Sequence, residues 1–543
     1  MPIRRLSTKS LPQLPVVAPH AGSSLLPANG DANGTEPTAR SRMTPACIRA
    51  TITLVVFGAY LLWALPWHLQ HGWDGIPWIG GGRGRGTAVA EGILRAPKLD
   101  VPKGVQTMWG QYAPWRAAGT YVGPPEGCNV TQVSAFALQR HGARYPNAEE
   151  GQRYAVAVER LASAKKFADK RLKFLKDYEY DLDADDLTAF GAAQTFESAE
   201  VFFNQYAHLA DEDNIPFVRA SGVPRVVDTA NNWTVGTSSP ASSPRLTISH
   251  SASPGFAAAS HQRHQPYLNV VISEEVNNTL KQDCPNAADG SAQTDAWLSV
   301  FAPPLVERLN KAAPGADLNA TLLFYLMAMC PFESIAKETG SPFCELFDEE
   351  DWAKFEYHGD IEKYYKTGYG NPLGPVQGVG YVNELLARLT NTPVRDKTTH
   401  NASLEFPLGR ALYADFTHEN LMVPIFAALG LFDVSEPLDP HALPDYLETP
   451  RGRKHHKHRE DEMRQKWVAS RLVPFSARMV TERLACVRDG AAGEYVRVFV
   501  NDELQPLEFC GAGKGGTCAL EAFVESQGYA RRSGDGDFER CYD

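Results

Sequence analysis

The chain has little that would point to a nucleotide, a metal or a nucleic acid. No Cys-x-x-Cys pair occurs, so a zinc ribbon is excluded. There is no P-loop, no Gly-rich dinucleotide-binding unit and no His-Glu-x-x-His, so neither a nucleotide cofactor nor a catalytic metal is implied. Positive charge is scarce too: 53 Lys and Arg stand against 64 Asp and Glu, a formal net charge of −11. No broad basic field exists to neutralise a nucleic-acid backbone, which argues against that partner. Long apolar runs are rare, and Ala50 to Trp67 is the one uncharged, mostly apolar stretch of spanning length. What remains is an ordinary globular balance, 43% hydrophobic and 22% charged, in a chain of 543 residues. That length suits a two-part folded region with extensions.

The extensions lie first. Residues 1–49 are rich in Ser, Pro, Gly, Ala and Asn, with Arg4, Arg5, Lys9, Arg40, Arg42 and Arg49 among them. They read as a disordered tail. Residues 50–67 just meet the spanning threshold of about 18 residues, and Tyr60, Trp63 and Trp67 suit the far interface. The positive residues come before the run, so the expectation is a single-pass signal anchor with a cytosolic N-terminus and a lumenal or extracellular main body. A cleaved signal, giving a secreted protein, is the alternative. Residues 68–122 read as a Gly-rich stalk and lead-in, with Gly-Arg-Gly-Arg-Gly at 82–86. Residues 123–543 form the main region, its helical part roughly within 285–405.

Three short pieces carry chemistry. Arg140-His141-Gly142-Ala143-Arg144 follows the apolar run Val133 to Leu138. It sets an imidazole, which can carry a phosphoryl group, between two planar guanidiniums that match phosphate oxygens. Packing alone rarely asks for this, because neither Arg enters a core without a partner. Phe217-Val218-Arg219-Ala220-Ser221-Gly222 is a second apolar stretch, with a helical pattern from Val223 to Trp233. Leu412 to Thr417 is a third, ending in Thr417-His418-Glu419 before an apolar helix from Leu421 to Leu431. Ligands of open α/β sheets sit at the carboxyl ends of strands. Three strand ends would therefore bring Arg140, His141, Arg144, Arg219, His418 and Glu419 to one crevice.

These motifs resemble the histidine acid phosphatases, and among them the fungal phytase branch. The resemblance runs from about Gly123 to Tyr542. It includes Asn269-Val270-Val271-Ile272-Ser273-Glu274, Ser341-Pro342-Phe343-Cys344, Gly370-Asn371-Pro372-Leu373-Gly374-Pro375, Gln377-Gly378-Val379-Gly380-Tyr381 and Val496 to Asp502. It implies an α/β fold: a large domain with a central sheet flanked by helices, plus a smaller, mainly helical domain. It also implies a phosphomonoester hydrolase working at acid pH through a phosphohistidine. His141 would be the nucleophile. Arg140, Arg144 and Arg219 would hold the phosphate, with His418 as a further donor. Glu419, where the family has Asp, would protonate the leaving group and then activate water.

Of the nine cysteines, Cys47 stands at the apolar run. The other eight suggest four disulfides, and sequence alone allows 105 pairings. The resemblance narrows these to Cys128–Cys486, Cys284–Cys541, Cys330–Cys344 and Cys510–Cys518. Sequons at Asn129, Asn232, Asn277, Asn319 and Asn401 fit a glycosylated, exported body. The resemblance implies a small phosphate ester as substrate. Family phytases carry several Lys after the Arg-His-Gly motif, whereas this chain has Asn147 to Arg153 with Glu149 and Glu150, and Glu362-Lys363 where a Lys pair would stand. Like-charge repulsion against a polyanion favours simple phosphomonoesters, with phytate among the substrates. An efficient dedicated phytase and an inactive phosphate-ester-binding ectodomain are the alternatives. The basic run Arg451 to Arg459 reads as a solvated surface insertion.

Overall fold

The structure is a computed structural model. It describes residues 95–211, 214–237, 266–434, 436–447, 467–488, 490–512 and 515–543. The tail, the apolar run 50–67, most of the stalk and the basic run 451–459 lie outside the described residues.

The described residues build an eight-stranded sheet. β1 (Cys128–Arg140), β2 (Phe217–Ser221), β3 (Leu268–Ile272), β4 (Leu412–Thr417), β5 (Arg478–Arg488) and β6 (Ala491–Val500) are joined by the short β7 (Glu503–Leu504) and β8 (Cys518–Ala519). The order is β3-β2-β4-β1-β5-β6-β7, and β8 pairs with β6. β3, β2, β4 and β1 run parallel; β5 and β6 are antiparallel additions. β2 and β4 are buried along their whole length, as central parallel strands must be. Register sets Arg140 beside Thr417, and Ser221 beside Ile272. The carboxyl ends of the parallel strands therefore finish level with one another.

Helices cover both faces. α2 (Ala189–Tyr206) and α3 (Pro224–Gly236) pack Phe202, Tyr206 and Trp233 on one face, against Phe416, Val480 and Phe499. Pro224 at the first turn gives α3 its start, where a missing N–H costs nothing. α1 (Ala148–Ala162) opens with a capping box between Asn147 and Glu150. Between β3 and β4 lie α4 (Ser291–Ala312), α5 (Ala320–Lys337), α6 (Glu349–Lys366) and α7 (Val379–Thr390), with no strand among them. These helices span Ser291 to Thr390, inside the range 285–405. Its core, with Phe332, Trp352 and Tyr357, is continuous with the other sheet face through Leu138 and Met479. Among the described residues, no helix is long and apolar enough to cross a membrane.

Four disulfides close the fold: Cys128–Cys486, Cys284–Cys541, Cys330–Cys344 and Cys510–Cys518. Of the sequon residues, Asn129, Asn277 and Asn319 are exposed, while Asn232 and Asn401 are half-buried. Asn319 also caps α5, and the Asn401 amide donates to the Asn277 carbonyl.

The stalk expectation needs correction at its far end. Residues 95–122 belong to the folded body. Leu99, Val101, Met108 and Trp109 are buried in the helical-side core. Gly110 N–H donates to Glu356 on α6 at 2.6 Å, and the Arg478 guanidinium lies over the Trp115 ring. The glycines further upstream suggested a linker, but four spaced apolar side chains and a run of backbone hydrogen bonds hold this segment down.

Candidate active site

β1 leads the motif to the level edge of the sheet. Arg140 is its last residue, and His141, Gly142 and Arg144 follow. The chain turns here because α2 comes in close: a Cβ on Gly142 would meet the Gly191 carbonyl oxygen at 2.6 Å, so only glycine fits. Thr188 caps α2, and its hydroxyl also donates to the Ala143 carbonyl. The His141 backbone N–H donates to Thr417. Its ring Nδ1 lies 2.8 Å from the Gly142 carbonyl oxygen. A carbonyl only accepts, so the proton sits on Nδ1 and the lone pair on Nε2. That Nε2 is 3.8 Å from Glu419. Burial first, then Arg140 and His418, push the His141 pKa well below its ordinary value. The ring is therefore neutral in mild acid and held in one orientation, with a lone pair on Nε2.

Arg140 is fully buried. Its Nη1 donates to the Gln111 and Val473 carbonyls at 2.5 and 2.8 Å, and its Nε lies 2.9 Å from Glu419. Its Nη2 has no hydrogen-bond partner. Phe475 lies against the guanidinium. Burial lowers its pKa to about 10, so it stays charged. Arg144 lines the cleft and pairs with Glu150 at 2.9 Å, while its Nε is unpartnered. Glu150 is the same residue that closes the capping box of α1.

β4 ends in Thr417, and His418 is the N-cap of α8 (Glu419–Leu429). His418 and His141 face each other with ring centroids 5.4 Å apart. Burial, then Arg225, bring His418 down to about 4. Burial pushes Glu419 up, but Arg140 and Lys363 outweigh it and hold the carboxyl well below the usual range. Lys363, from α6, lies 3.6 Å from Glu419 and donates to Asn420 at 2.8 Å.

One expected site residue is elsewhere. Arg219 is not on the cleft wall. It lies inside β2 and is 2% exposed, with Nε on Asp415 at 2.6 Å and Nη2 on Glu384 at 2.5 Å. Asp415 is further held by Arg388 and Tyr381, and Glu384 by His400 and Thr279. Arg219 is thus fully engaged in a core network. The strand ends two residues later, at Ser221, and the arginine that lines the cleft is Arg225, on the first turn of α3. Its Nε is buried and unpartnered. Burial and then Arg144 lower its pKa. The signal for Arg225 was in the sequence: Pro224 marks a helix start just past a strand end, where anions bind.

His141, Arg144, Arg225, His418 and Glu419 meet in one cleft of about 390 Å³. Arg140 stands directly behind Glu419. The sequence reading missed Arg225, Gln111, Glu274, Lys281, Lys366 and Asn420, which complete the wall. Lys281, Lys363 and Lys366 bring cations to the rim, and Glu150, Glu274 and Glu362 bring anions.

The chain is similar to known proteins in sequence and in fold. The family model described as histidine phosphatase superfamily (branch 2) matches residues 132–501. Phytase A of Aspergillus oryzae is 37% identical over 452 residues, covering 80% of this chain and 90% of its own. Phytase A of Arthroderma benhamiae is 38% identical over 451 residues, covering 79% and 91%. Among solved structures, the phytase from D. castellii aligns with a TM-score of 0.60 at 21% identity, covering 79% of this chain and 85% of that one. The multiple inositol polyphosphate phosphatase of Bifidobacterium longum, complexed with inositol hexasulfate, aligns with a TM-score of 0.53 at 14% identity, covering 78% and 98%.

Proposed function

The chain belongs to the histidine phosphatase superfamily (branch 2), and from that premise we propose that it is a phosphomonoester hydrolase acting in acid through a phosphohistidine. One observation carries the reading. His141 Nε2 presents its lone pair toward Glu419, with Nδ1 pinned on the Gly142 carbonyl, between Arg140, Arg144 and Arg225.

The steps follow from the residues. His141 Nε2 attacks phosphorus in line, the bond to the ester oxygen breaks, and Glu419 gives that oxygen its proton. Glu419 then takes a proton from water, the resulting hydroxide attacks phosphorus, and the P–N bond breaks to free phosphate and His141. Arg144, Arg225 and His418 hold the non-bridging oxygens, and Arg140 offers its unpartnered Nη2. Before substrate binds, Arg140 and Lys363 keep Glu419 ionised. A phosphoryl dianion reverses that field, so substrate itself raises the Glu419 pKa and loads the acid. Rising pH unloads it again, so activity falls toward neutrality.

Phytate belongs among the substrates. The curated relatives are phytases, which supports the second reading, an efficient dedicated phytase, while the cleft itself sets Lys281, Lys363 and Lys366 against Glu150, Glu274 and Glu362. The main body is exported: four disulfides suit an oxidising compartment, and glycans on Asn129, Asn232, Asn277, Asn319 and Asn401 go with it. The run Ala50 to Trp67 is its single-pass anchor, with carbonate-resistant membrane pelleting as the test. N-terminal sequencing that begins after Trp67 would replace the anchor with a cleaved signal.

The deciding experiment assays residues 95–543 with phytate and with an aryl phosphate. Turnover and an acid-labile phosphoenzyme are expected in the wild type. His141→Ala abolishes both, by at least about 10⁴-fold in rate. A wild type without turnover, or a variant that still forms phosphoenzyme, overturns the reading. Similar efficiency on both substrates marks a general acid phosphatase, and a strong phytate preference marks the dedicated enzyme.

A further inference from the structure

The steps above leave Ser221 and Glu274 without work, although both stand at His418. Ser221 is the last residue of β2 and wholly buried. Glu274 follows β3 and lines the cleft. The Ser221 hydroxyl donates to the Glu274 carboxylate, and its oxygen is 3.4 Å from His418 Nε2. A hydroxyl has one proton, and this one is spent on Glu274. Toward His418 it can only accept, so the His418 proton sits on Nε2. A neutral His418 then has no second N–H to give a phosphoryl oxygen, because its Nδ1 carries only a lone pair. The imidazolium alone donates from both nitrogens.

The surroundings mostly oppose that cation. Arg140 and Arg144 from the end of β1, Arg225 from α3 and the His141 ring face His418, and Glu419 on its own helix is the one near anion. Burial and these cations hold His418 down to about 4. Glu274, reached through Ser221, is a second anion placed on the far nitrogen. Lys281 fastens it by donating to the Glu274 carbonyl at 2.8 Å.

We propose that Ser221 and Glu274 are positioning residues, a hydrogen-bonded relay that fixes the His418 tautomer and supports its cationic form when a phosphoryl group binds. The proposal rests on His418 being a phosphate donor in the reading above. Glu274→Gln keeps the rim geometry and removes the charge, while Ser221→Ala cuts the link.

The experiment measures kcat and KM for an aryl phosphate, and inhibition by inorganic phosphate, across the acid range. Each single variant is expected to weaken phosphate inhibition and raise KM about tenfold, the scale of a hydrogen bond to a charged group. The defect should shrink as pH falls, because a higher proton concentration charges His418 with less help from its neighbours, and the phosphohistidine should still be trapped. The double variant should be no worse than the worse single one, because the two act in series. Glu274→Asp should recover part of the loss. Unchanged inhibition and pH profile in Glu274→Gln, or losses that simply add, overturn the relay. Absence of phosphohistidine in the wild type overturns the underlying reading instead, so the two failures are told apart.

Discussion

Two groups of buried arginines divide this molecule. Arg219 and Arg388 sit in the core, and each is matched: Asp415 and Glu384 take up their charges, with Tyr381, His400 and Thr279 closing the remaining bonds. Arg140 and Arg225 sit at the cleft and are undersupplied. Arg140 shares Glu419 with Lys363, Arg225 reaches Asp185 only at 4.0 Å, and both are depressed in pKa by burial and by neighbouring cations. A balanced cluster holds elements together. An unbalanced one is stable only because it is poised for an anion that arrives later. The same residue type thus serves packing in one place and chemistry in the other, and the supply of carboxylates distinguishes them.

The largest test of this contrast concerns the cleft carboxylate. Glu419→Gln should lower kcat by about 10²–10⁴-fold, the usual worth of a general acid, with an unchanged melting temperature. An unimpaired kcat would remove Glu419 from the chemistry.

The arginines themselves come next. Arg225→Ala should cut kcat/KM by about 10²–10³-fold, as loss of one oxyanion donor does, while leaving stability nearly intact. Arg219→Ala should instead destabilise the fold by about 3–5 kcal/mol, because Asp415 and Glu384 would be left buried and uncompensated. Denaturant midpoints and steady-state kinetics on both variants check the crossover. If Arg219→Ala folds normally and loses only activity, the division fails.

A third cluster carries the opposite imbalance. Glu356 and Asp360 lie one turn apart on α6, both fully buried, and no cation pairs with them among their hydrogen bonds. Burial pushes both carboxyls up, Glu356 to about 6. The folded state therefore binds more protons than the unfolded one. Their contribution is fully present below the ordinary carboxylate range and is lost as pH rises through the raised values. Asp360→Asn should accordingly gain about 1–2 kcal/mol at pH 7 relative to its effect at pH 4, read from melting at the two pH values.

The smallest effect concerns the lead-in. A chain beginning at residue 95 should match the wild type in stability. One beginning at residue 105 loses the buried Leu99 and Val101 and should melt lower, by about 2–4 kcal/mol for two such side chains. Equal melting would return residues 95–104 to the stalk.

Much of this was legible beforehand, for local reasons. The strands ending at Arg140 and Thr417 and the helices after them follow from apolar runs stopped by Gly or by a polar cap. The Arg140-His141-Gly142-Ala143-Arg144 and His418-Glu419 pairs are contiguous, so their chemistry shows in one window. Arg219 and Arg225 were confused because both flank the same strand end, and the choice turns on pleat direction. Asp415 and Glu384, some 165 to 196 residues away in sequence, decide it, and no short window contains them. The lead-in was hidden by its glycine-rich neighbour. The fold places Trp109 and Gln111 against α6 and Arg140, and such long-range packing has no periodic signature.

The disulfides set an order on manufacture. Cys128, in the first strand, waits for Cys486, 358 residues later, and Cys284 waits for Cys541, another 257 on. β1 likewise waits for β4 and β5 on either side. The centre of the sheet cannot close while the ribosome is still supplying its partners, so early thiols must be kept from wrong pairings until nearly the whole body has been delivered. Yield of this protein in a host should therefore depend on disulfide-isomerising capacity more than on translation rate.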